Sequence, residues 1–244
     1  MKYKNIVLVG GSGLIGKSIA KFLIKKSKKV FVIDKIEPKN KDLIYFKSYK
    51  SDKTNITKTL RQIVKKAKVI HAIINCAYPL TKYSYLKEKN VNKKKLLFEF
   101  NNHFGFFYNY TKVYLDYFLN KKFGQIINFS SIYGSSVPRF DIYKGTKLHM
   151  PLQYGISKSS INYLTKFYSE KYKSSNVRLN IISPGGIYNN QDKIFVRNYS
   201  KFTNTKRMLK PNDLNYVINL LLCKDKIKTT GKNFIVDHGF LKFK

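Results

Sequence analysis

The sequence predicts a single α/β domain spanning residues 1–244, with helices on both faces of a doubly wound parallel sheet. Three observations predict these three αβα layers. Short apolar runs alternate with helical stretches, a glycine-rich turn joins the first run directly to a helix, and no linker or internal repeat interrupts the chain. The 244 residues, 43% of them hydrophobic, are enough for one substantial core.

Six apolar runs of strand length predict the sheet: residues 6–10, 30–34, 69–77, 125–131, 177–185 and 233–239. The stretches between them have helical character, and these are residues 14–26, 57–66, 94–119, 157–173 and 211–222. Two polar, irregular segments, about 133–153 and 186–208, are predicted to be long loops. Long loops in compact domains commonly carry function, so both are candidate substrate loops.

The charge of the chain is unusual, since 48 Lys and Arg against 13 Asp and Glu give a formal net charge of +35. Such an excess can indicate a nucleic-acid or membrane partner. The basic residues are mostly Lys, however, and they are scattered among many Asn, Ile, Tyr and Phe residues, a pattern typical of AT-rich coding. Because no nucleic-acid-binding motif accompanies them, we expect no nucleic-acid partner. An anionic small-molecule substrate stays open.

Cysteine usage and the N-terminal residues bear on the compartment. Cys76 and Cys223 lie far apart without metal-ligand spacing, which predicts neither a disulfide framework nor a zinc site. No charged and apolar leader precedes the first strand, and no stretch approaches about 18 consecutive apolar residues. We therefore expect a cytoplasmic protein that neither spans nor binds a membrane.

The first apolar run ends in a cluster of glycines that reads GGSGLIG over residues 10–16 and continues into a predicted helix. Glycines allow the backbone to turn tightly and to approach a pyrophosphate, which lies against the free N–H groups of the helix N-terminus. This context is that of a Rossmann-like dinucleotide-binding turn. The predicted cofactor contacts here come from Gly10, Ser12, Gly13, Leu14, Ile15 and Gly16.

A carboxylate follows at the end of the second run, where Asp34 stands eighteen residues after Gly16. A carboxylate at this place can accept hydrogen bonds from an adenosine ribose, and it would repel a ribose phosphate. NAD(H) is therefore favoured, although Lys35 beside it leaves NADP(H) open. The alternative is a glycine-rich turn followed by an aspartate that only caps its strand.

Two further segments carry a family resemblance. Residues 154–158 read YGISK and follow the serines of the strand that ends NFSS at Ser131. This pair of motifs resembles the YxxSK motif and the active-site serine strand of the short-chain dehydrogenase/reductase family, and further matches extend over essentially the whole chain. The resemblance implies a catalytic role for Ser131, Tyr154 and Lys158. It also implies cofactor contacts from Asp52, Asn75, Ala77, Tyr154, Lys158, Pro184, Gly185 and Ile187.

The chemistry requires these residue types. Hydride transfer to a carbonyl must be matched by proton delivery, and a tyrosine can act as the acid or as the base. Lowering its pKa from about 10 to about 7 requires roughly 4 kcal/mol of differential stabilisation, for which a neighbouring ammonium is suited. Tyr154 and Lys158 are four residues apart on a predicted helix and share a face. By resemblance, Lys158 also holds the nicotinamide ribose, and Ser131 binds the substrate oxygen.

A second YxxxK pair, Tyr143 and Lys147, competes with this assignment. The family's usual spacing fits Ser130 with Tyr143, whereas the spacing from Ser131 to Tyr154 is longer. We choose Tyr154 because the residues after it continue as a long predicted helix, whereas Gly and Pro follow Tyr143.

The family's fourth catalytic position is usually an asparagine on the long fourth helix. Counting back from Ser131 places this position at His103. A histidine there can donate or accept a hydrogen bond. Asn101 or Asn102 could supply the function instead, and a histidine merely satisfied within a helix face is the alternative.

The substrate loops resemble those of the flagellin-modification protein A group of oxidoreductases, on residues 131–140, 143–151, 183–187, 190–191 and 236–240. That group is associated with nonulosonic-acid or amino-sugar precursors of surface glycans. A sugar phosphate or a nucleotide-linked sugar is therefore the expected substrate, and Arg139 suits recognition of its anionic group. The predicted substrate contacts come from Ser131, Arg139, Tyr143 and Asn190.

Other interpretations stay open at this point. The lengthened segment between Ser131 and Tyr154 could be a purely structural loop. The chain could also be a sugar-nucleotide epimerase or dehydratase, an NAD-binding sensor or scaffold without turnover, or a basic nucleic-acid-binding protein on the same scaffold. The resemblance further implies a homodimer or homotetramer packed through the fourth and fifth helices and the C-terminal strand.

Overall fold

The computed structural model describes residues 3–48, 51–223 and 229–243. Within them, seven strands form one sheet in the order β3-β2-β1-β4-β5-β6-β7, and every neighbouring pair is parallel. The strands are β1 (Asn5–Val9), β2 (Lys29–Asp34), β3 (Ile44–Lys47), β4 (Ala72–Asn75), β5 (Gly124–Phe129), β6 (Val177–Pro184) and β7 (Asn233–Val236).

Helices connect the strands and cover both faces of the sheet. They are α1 (Leu14–Lys25), α2 (Lys53–Ala67), α3 (Lys93–Phe100), α4 (Phe106–Lys121), α5 (Leu152–Lys171), α6 (Lys193–Ser200) and α7 (Asn215–Leu221). A π-turn (Asn101–Gly105) joins α3 to α4. The shorter 3-10 turns are Glu88–Asn90, Ile132–Gly134, Phe140–Tyr143, Pro211–Leu214 and Phe240–Phe243.

Two apolar clusters hold the three layers together. One lies between the sheet and α2, α4 and α5, with Ile63, Tyr114 and Leu164 among its members. The other lies between the opposite face and α1 and α7, with Leu23 and Val217 among its members. Because both faces are covered, the central strands are buried along nearly their whole length, as β1 and β6 show. The fold class predicted from the sequence is confirmed.

The sheet reverses its winding between β1 and β4, which are neighbours although β2 and β3 come between them in sequence. In open parallel sheets, ligands bind in the crevice outside the carboxyl ends of the strands at such a point. A third apolar cluster is formed by buried side chains of the segments that follow β5, β6 and β7. Its members are Ile132, Ile142, Phe195, Tyr199, Met208 and Phe240.

Several elements differ from the prediction. The six predicted runs omit β3, a four-residue edge strand. The predicted helix 94–119 is α3, the π-turn and α4 in succession, and α5 begins at Leu152 rather than at residue 157. The predicted loop 186–208 contains α6. Among the described residues, no helix combines the length and the apolar character that a membrane crossing requires.

Candidate active site

Two positions in the turn after β1 require glycine. Gly10 has φ +82°, and a Cβ there would lie 2.6 Å from the Cα of Ala77. A Cβ on Gly16 would lie 2.0 Å from the carbonyl oxygen of Gly10. The turn therefore packs directly against the start of α1 and the residues after β4, at the point where the sheet reverses.

The N-terminus of α1 faces this crevice without a side-chain cap, because its N-cap residue is Gly13 and its first turn contains no acidic residue. Its free N–H groups and helix dipole suit a pyrophosphate. At the end of β2, the Asp34 carboxylate accepts hydrogen bonds from the backbone N–H of Ser12 at 2.8 Å and of Ile36 at 3.1 Å. Because a carboxylate has about four lone-pair sites, acceptor capacity remains for two ribose hydroxyls.

A buried amide adds a second feature that suits a polar ligand. Asn75, at the end of β4, is 1% exposed, and neither its Oδ1 nor its Nδ2 has a hydrogen-bond partner among the described residues. Buried polar groups of this kind are normally satisfied. Together with the glycine turn, the uncapped helix and Asp34, this amide fits a nicotinamide dinucleotide along the carboxyl ends of β1, β2 and β4.

The remaining predicted cofactor residues lie at the same sheet edge. Pro184 ends β6, the N–H of Gly185 bonds the carbonyl of Val236 at 2.8 Å, and Ile187 pairs with Leu209. Asp52 is the N-cap of α2, and its oxygens accept from the backbone and side chain of Asn55. This capping bond is a structural reason for the aspartate, so its predicted cofactor contact stays a prediction.

Ser131, Tyr154 and Lys158 come together at the end of β5. Ser131 is the N-cap of the 3-10 turn that follows the strand, and its hydroxyl is close enough to that of Tyr154 to lower the pKa of the tyrosine by hydrogen bonding. The Nζ atom of Lys158, one helical turn along α5, lies 5.6 Å from the centre of the Tyr154 ring. Burial raises the pKa of Tyr154, and the bond from Ser131 partly opposes this. Tyr154 is therefore a neutral hydroxyl group at neutral pH, able to donate a proton.

Lys158 is a buried cation that is only 5% exposed. Its ammonium donates one hydrogen bond, to the carbonyl of Phe129 at 3.2 Å, and it lies over the rings of Phe107 and Tyr78. Burial lowers its pKa to about 8. An ammonium has three donors. The described part of the chain therefore leaves donors of Lys158 available to a ligand in the crevice.

The competing pair does not form a comparable arrangement. Tyr143 ends a 3-10 turn and Lys147 is exposed on the following loop, so the two do not share a helix face. Tyr143 is nevertheless half-buried. It lies close enough to Tyr154 for a negative charge on that residue to raise its pKa. Tyr154, and not Tyr143, therefore shares a helix with its lysine and lies beside Ser131.

His103 lies in the π-turn between α3 and α4, and it is 3% exposed. Burial and the charge of Lys158 lower its pKa to about 4, so its imidazole is neutral. A π-turn carries one extra residue per turn and often marks a functional site. Asn102 instead donates to the carbonyl of Phe98 and is half-buried, and Asn101 is exposed. Of the three candidates for the fourth position, only His103 faces the buried site.

Tyr78 also belongs to this group of residues, although it is not among the residues predicted from the sequence. Its ring lies between two predicted site residues, with ring centres 4.4 Å from His103 and 5.6 Å from Tyr154. Tyr78 follows Asn75-Cys76-Ala77, where the related motif ends in glycine, and this departure was the signal that could have found it. Tyr85, an exposed residue of the same loop, lies close enough to Tyr154 to raise its pKa if ionised.

The two other predicted substrate residues lie outside this group. The guanidinium of Arg139 stacks 4.6 Å above the ring of Phe202, and its buried Nε and Nη2 atoms have no hydrogen-bond partner among the described residues. Asn190 is exposed with φ +56°, a left-handed conformation that asparagine tolerates. Turn geometry alone explains that asparagine, whereas the unpaired donors of Arg139 suit an anion.

Comparison with known proteins gives the same assignment as the geometry. The family model described as short chain dehydrogenase matches residues 4–196. The chain is 27% identical to the post-translational flagellin modification protein A of Campylobacter coli, over 98% of this chain and 99% of the relative.

Solved structures give the same result. A short chain dehydrogenase from Leptospira borgpetersenii with bound NAD+ is similar with a TM-score of 0.88 and 25% identity, covering 98% of this chain and 93% of the other. ElxO with NADP bound has a TM-score of 0.82 and 21% identity, covering 99% and 100%. The chain belongs to the short-chain dehydrogenase family of oxidoreductases, whose enzymes use nicotinamide cofactors.

Proposed function

We propose that the protein is an NAD(H)-dependent oxidoreductase that transfers a hydride between the cofactor and a carbonyl or alcohol group of a sugar, carried as a sugar phosphate or a nucleotide-linked sugar. The observation that supports the reaction class most strongly is the contact of Ser131, Tyr154 and Lys158 beside the glycine turn. When bound, the nicotinamide supplies or accepts the hydride. The protein must supply everything else.

The roles of the three residues follow from their surroundings. Ser131 and Tyr154 place two hydroxyl groups side by side, so both can hydrogen-bond one substrate oxygen and hold it at the reacting centre. Tyr154, neutral at neutral pH, donates its proton to that oxygen in the reducing direction and recovers it in the oxidising direction. Lys158 directs its free donors at the nicotinamide ribose and adds positive charge beside the developing phenolate.

The preference for NAD(H) is proposed from Asp34. Its carboxylate stands where the adenosine ribose binds in this fold, and a 2′-phosphate there would meet a negative charge. Ser12 and Ile36 hold the carboxylate in place through their backbone N–H groups. The NAD+ bound by the Leptospira relative supports the same choice.

The substrate class is proposed from the relative in Campylobacter coli and from the inserted segment. The name of that relative ties it to flagellin modification, which suggests a role in surface-glycan biosynthesis. Arg139 lies in the segment between Ser131 and Tyr154, and its unpaired guanidinium donors suit a phosphate or carboxylate. Tyr85 and Tyr143 add aromatic surface near Tyr154, against which a sugar ring can pack.

We also propose that two copies pack through α4 and α5. These helices leave Tyr163 73% exposed and Phe167 49% exposed, and together they line a groove of about 460 Å3. Contiguous exposed apolar side chains usually mark an interface. A homodimer or homotetramer would bury them.

Loss of the Tyr154 hydroxyl tests the proposal. Purified protein is incubated with NADH or NADPH and a panel of oxidised hexose phosphates and nucleotide sugars, and absorbance at about 340 nm is followed. Tyr154→Phe should reduce kcat by at least about 100-fold, because acid–base catalysis contributes about that much, and should leave NADH binding within about twofold. Tyr143→Phe is the matched control and should retain most of the turnover. Full activity in Tyr154→Phe would refute the assignment, and NADH binding without any turnover in the wild type would favour a sensor.

A further inference from the structure

Glu99, near the end of α3, is a buried carboxylate to which the proposed reaction gives no role. It is 1% exposed, although it carries a charge when ionised. Its Oε1 accepts a hydrogen bond from the hydroxyl of Thr81, and its Oε2 accepts one from Ser84 at 2.9 Å. Buried carboxylates are rare unless they are paired or bonded for a reason. Two hydroxyl donors compensate for part of the burial.

The oxygen that accepts from Ser84 also faces His103. Oε2 of Glu99 lies 3.7 Å from Nε2 of His103, one helical turn further along. This distance is longer than a hydrogen bond, so the contact is electrostatic in the structure. A carboxylate without a proton can only accept. It therefore favours the imidazole tautomer that carries its proton on Nε2.

Glu99 also anchors the loop that carries Tyr78. Thr81 and Ser84, its two donors, belong to the segment that follows Tyr78, and a backbone bond and side-chain bonds close the turn between them. On the opposite side, Gln153 donates from Nε2 to the carbonyl of Tyr83 at 3.0 Å. The loop is thus fixed to α3 through Glu99 and to the start of α5 through Gln153.

Titratable groups of three elements surround Glu99 and His103. From α5, Lys158 lowers the pKa of His103 through its charge, and Tyr154 adds a hydroxyl beyond the ring of Tyr78. From the loop, Tyr78 packs on His103 with ring centres 4.4 Å apart. From α3, Glu99 contributes a negative charge, and its own pKa is raised by burial. It is the carboxylate in direct contact with His103 among the described residues.

We propose that Glu99 is a positioning residue that acts through His103. Its carboxylate holds the imidazole as the Nε2–H tautomer, so that Nδ1 is an acceptor. The hydrogen bonds that it accepts from Thr81 and Ser84 fix the loop of Tyr78. The effect on catalysis rests on the proposed oxidoreductase function, whereas the tautomer does not. The charge of Lys158 acts on this ring. A ring nitrogen that is free to accept can take a hydrogen bond from an ammonium, or from a water bound to it, whereas an N–H at that position cannot.

Nitrogen-15 NMR of histidine-labelled protein tests the tautomer without any substrate. The chain contains four histidines, and the His103→Asn variant identifies the signals of His103. In the wild type we expect a neutral ring with a protonated Nε2. Glu99→Gln can place an amide donor opposite Nε2, so we expect the tautomer population to shift towards Nδ1–H. Glu99→Asp keeps an acceptor and should retain Nε2–H.

Glu170→Gln is the matched control, because Glu170 is an exposed carboxylate on α5 that pairs with Lys173. It should leave the signals of His103 unchanged. An Nδ1–H tautomer in the wild type would overturn the proposal. Signals of His103 that are identical in folded wild-type and Glu99→Gln proteins would overturn it as well. If Glu99→Gln does not fold, the comparison of wild type with Glu99→Asp decides, since both must then show Nε2–H.

A double-mutant cycle tests the route of action once a substrate from the sugar panel is in hand. Glu99→Gln should lower kcat by about tenfold and leave the Kd for NADH within about twofold. In a His103→Asn background, the same substitution should cost less than about twofold, because the ring that it positions is gone. Equal losses in both backgrounds would reduce Glu99 to a structural anchor. The absence of turnover in the wild type would refute the proposed function and leave the NMR result valid.

Discussion

Replacing Lys158 with methionine should make the protein more stable at neutral pH and inactive. The structure buries the ammonium to 5% exposure and gives it one hydrogen bond, so burial lowers its pKa from 10.5 to about 8. That difference corresponds to about 3 kcal/mol of destabilisation while the lysine stays charged. Methionine has a similar length, suits the aromatic rings of Phe107 and Tyr78, and carries no charge.

The expected gain is smaller than this cost. Removing the ammonium takes a donor from the carbonyl of Phe129, which costs about 1 kcal/mol. The net gain of about 2 kcal/mol in the free energy of unfolding corresponds to a Tm higher by about 4–8 °C. Turnover should be lost at the same time, because Lys158 supplies the charge beside Tyr154 and the proposed ribose contact.

The pH dependence distinguishes this explanation from improved packing. Because the pKa of Lys158 is lower in the folded protein, the unfolded chain binds more protons between about pH 8 and pH 10.5, and wild-type stability rises through that window. Urea unfolding of both proteins at about pH 7 and about pH 10 should therefore show a gain that nearly vanishes at the higher pH. A gain of equal size at both values, or no gain at pH 7, would refute the reasoning. Lys147→Met, at an exposed position, is the control and should change little.

Three further substitutions test the remaining proposals. Asp34→Ser removes the negative charge at the adenosine ribose. In fluorescence titrations the Kd for NADH should therefore rise by about tenfold, and NADPH should bind more tightly than it does to the wild type. An unchanged ratio of the two affinities would contradict the assignment. Arg139→Ala should raise KM for a hexose phosphate by about tenfold and leave KM for the corresponding neutral hexose unchanged in steady-state assays, and equal effects on both would count against an anion contact. Tyr163→Glu places a charge on the exposed face of α4 and α5 and should convert the oligomer to a smaller species in sedimentation velocity; a wild-type monomer would remove the premise.

Most of the sheet could be predicted because its central strands are buried on both faces and appear as short, mainly apolar runs. Strand β3 was not predicted because it has only four residues and lies half exposed at the edge of the sheet. Its sequence does not differ clearly from that of a loop. The π-turn could not be anticipated, because the residues around it are ordinary helix formers and aromatics whose periodicity does not reveal one extra residue.

Some site residues could be predicted from the sequence and others could not. Tyr154 and Lys158 share a helix face, so their spacing alone brought them together. Tyr78 reaches the same place from a loop after β4, and Glu99 reaches it from one turn before His103. Their relation to the site depends on how three separate elements pack. Spacing within one element is visible in a sequence, whereas contacts between a loop and two helices are not.

The inserted segment between Ser131 and Tyr154 has an evolutionary consequence. Its first end is fixed by β5 and its second by α5, and both elements are packed into the core. The distance between the two hydroxyl groups is thus set by the sheet and the helix rather than by the number of residues that connect them. Under the proposed function, mutations that lengthen, shorten or rewrite this segment change which molecules are accepted while Ser131 and Tyr154 keep their places. Substrate preference can then change by insertion and deletion without rebuilding the pair of hydroxyl groups.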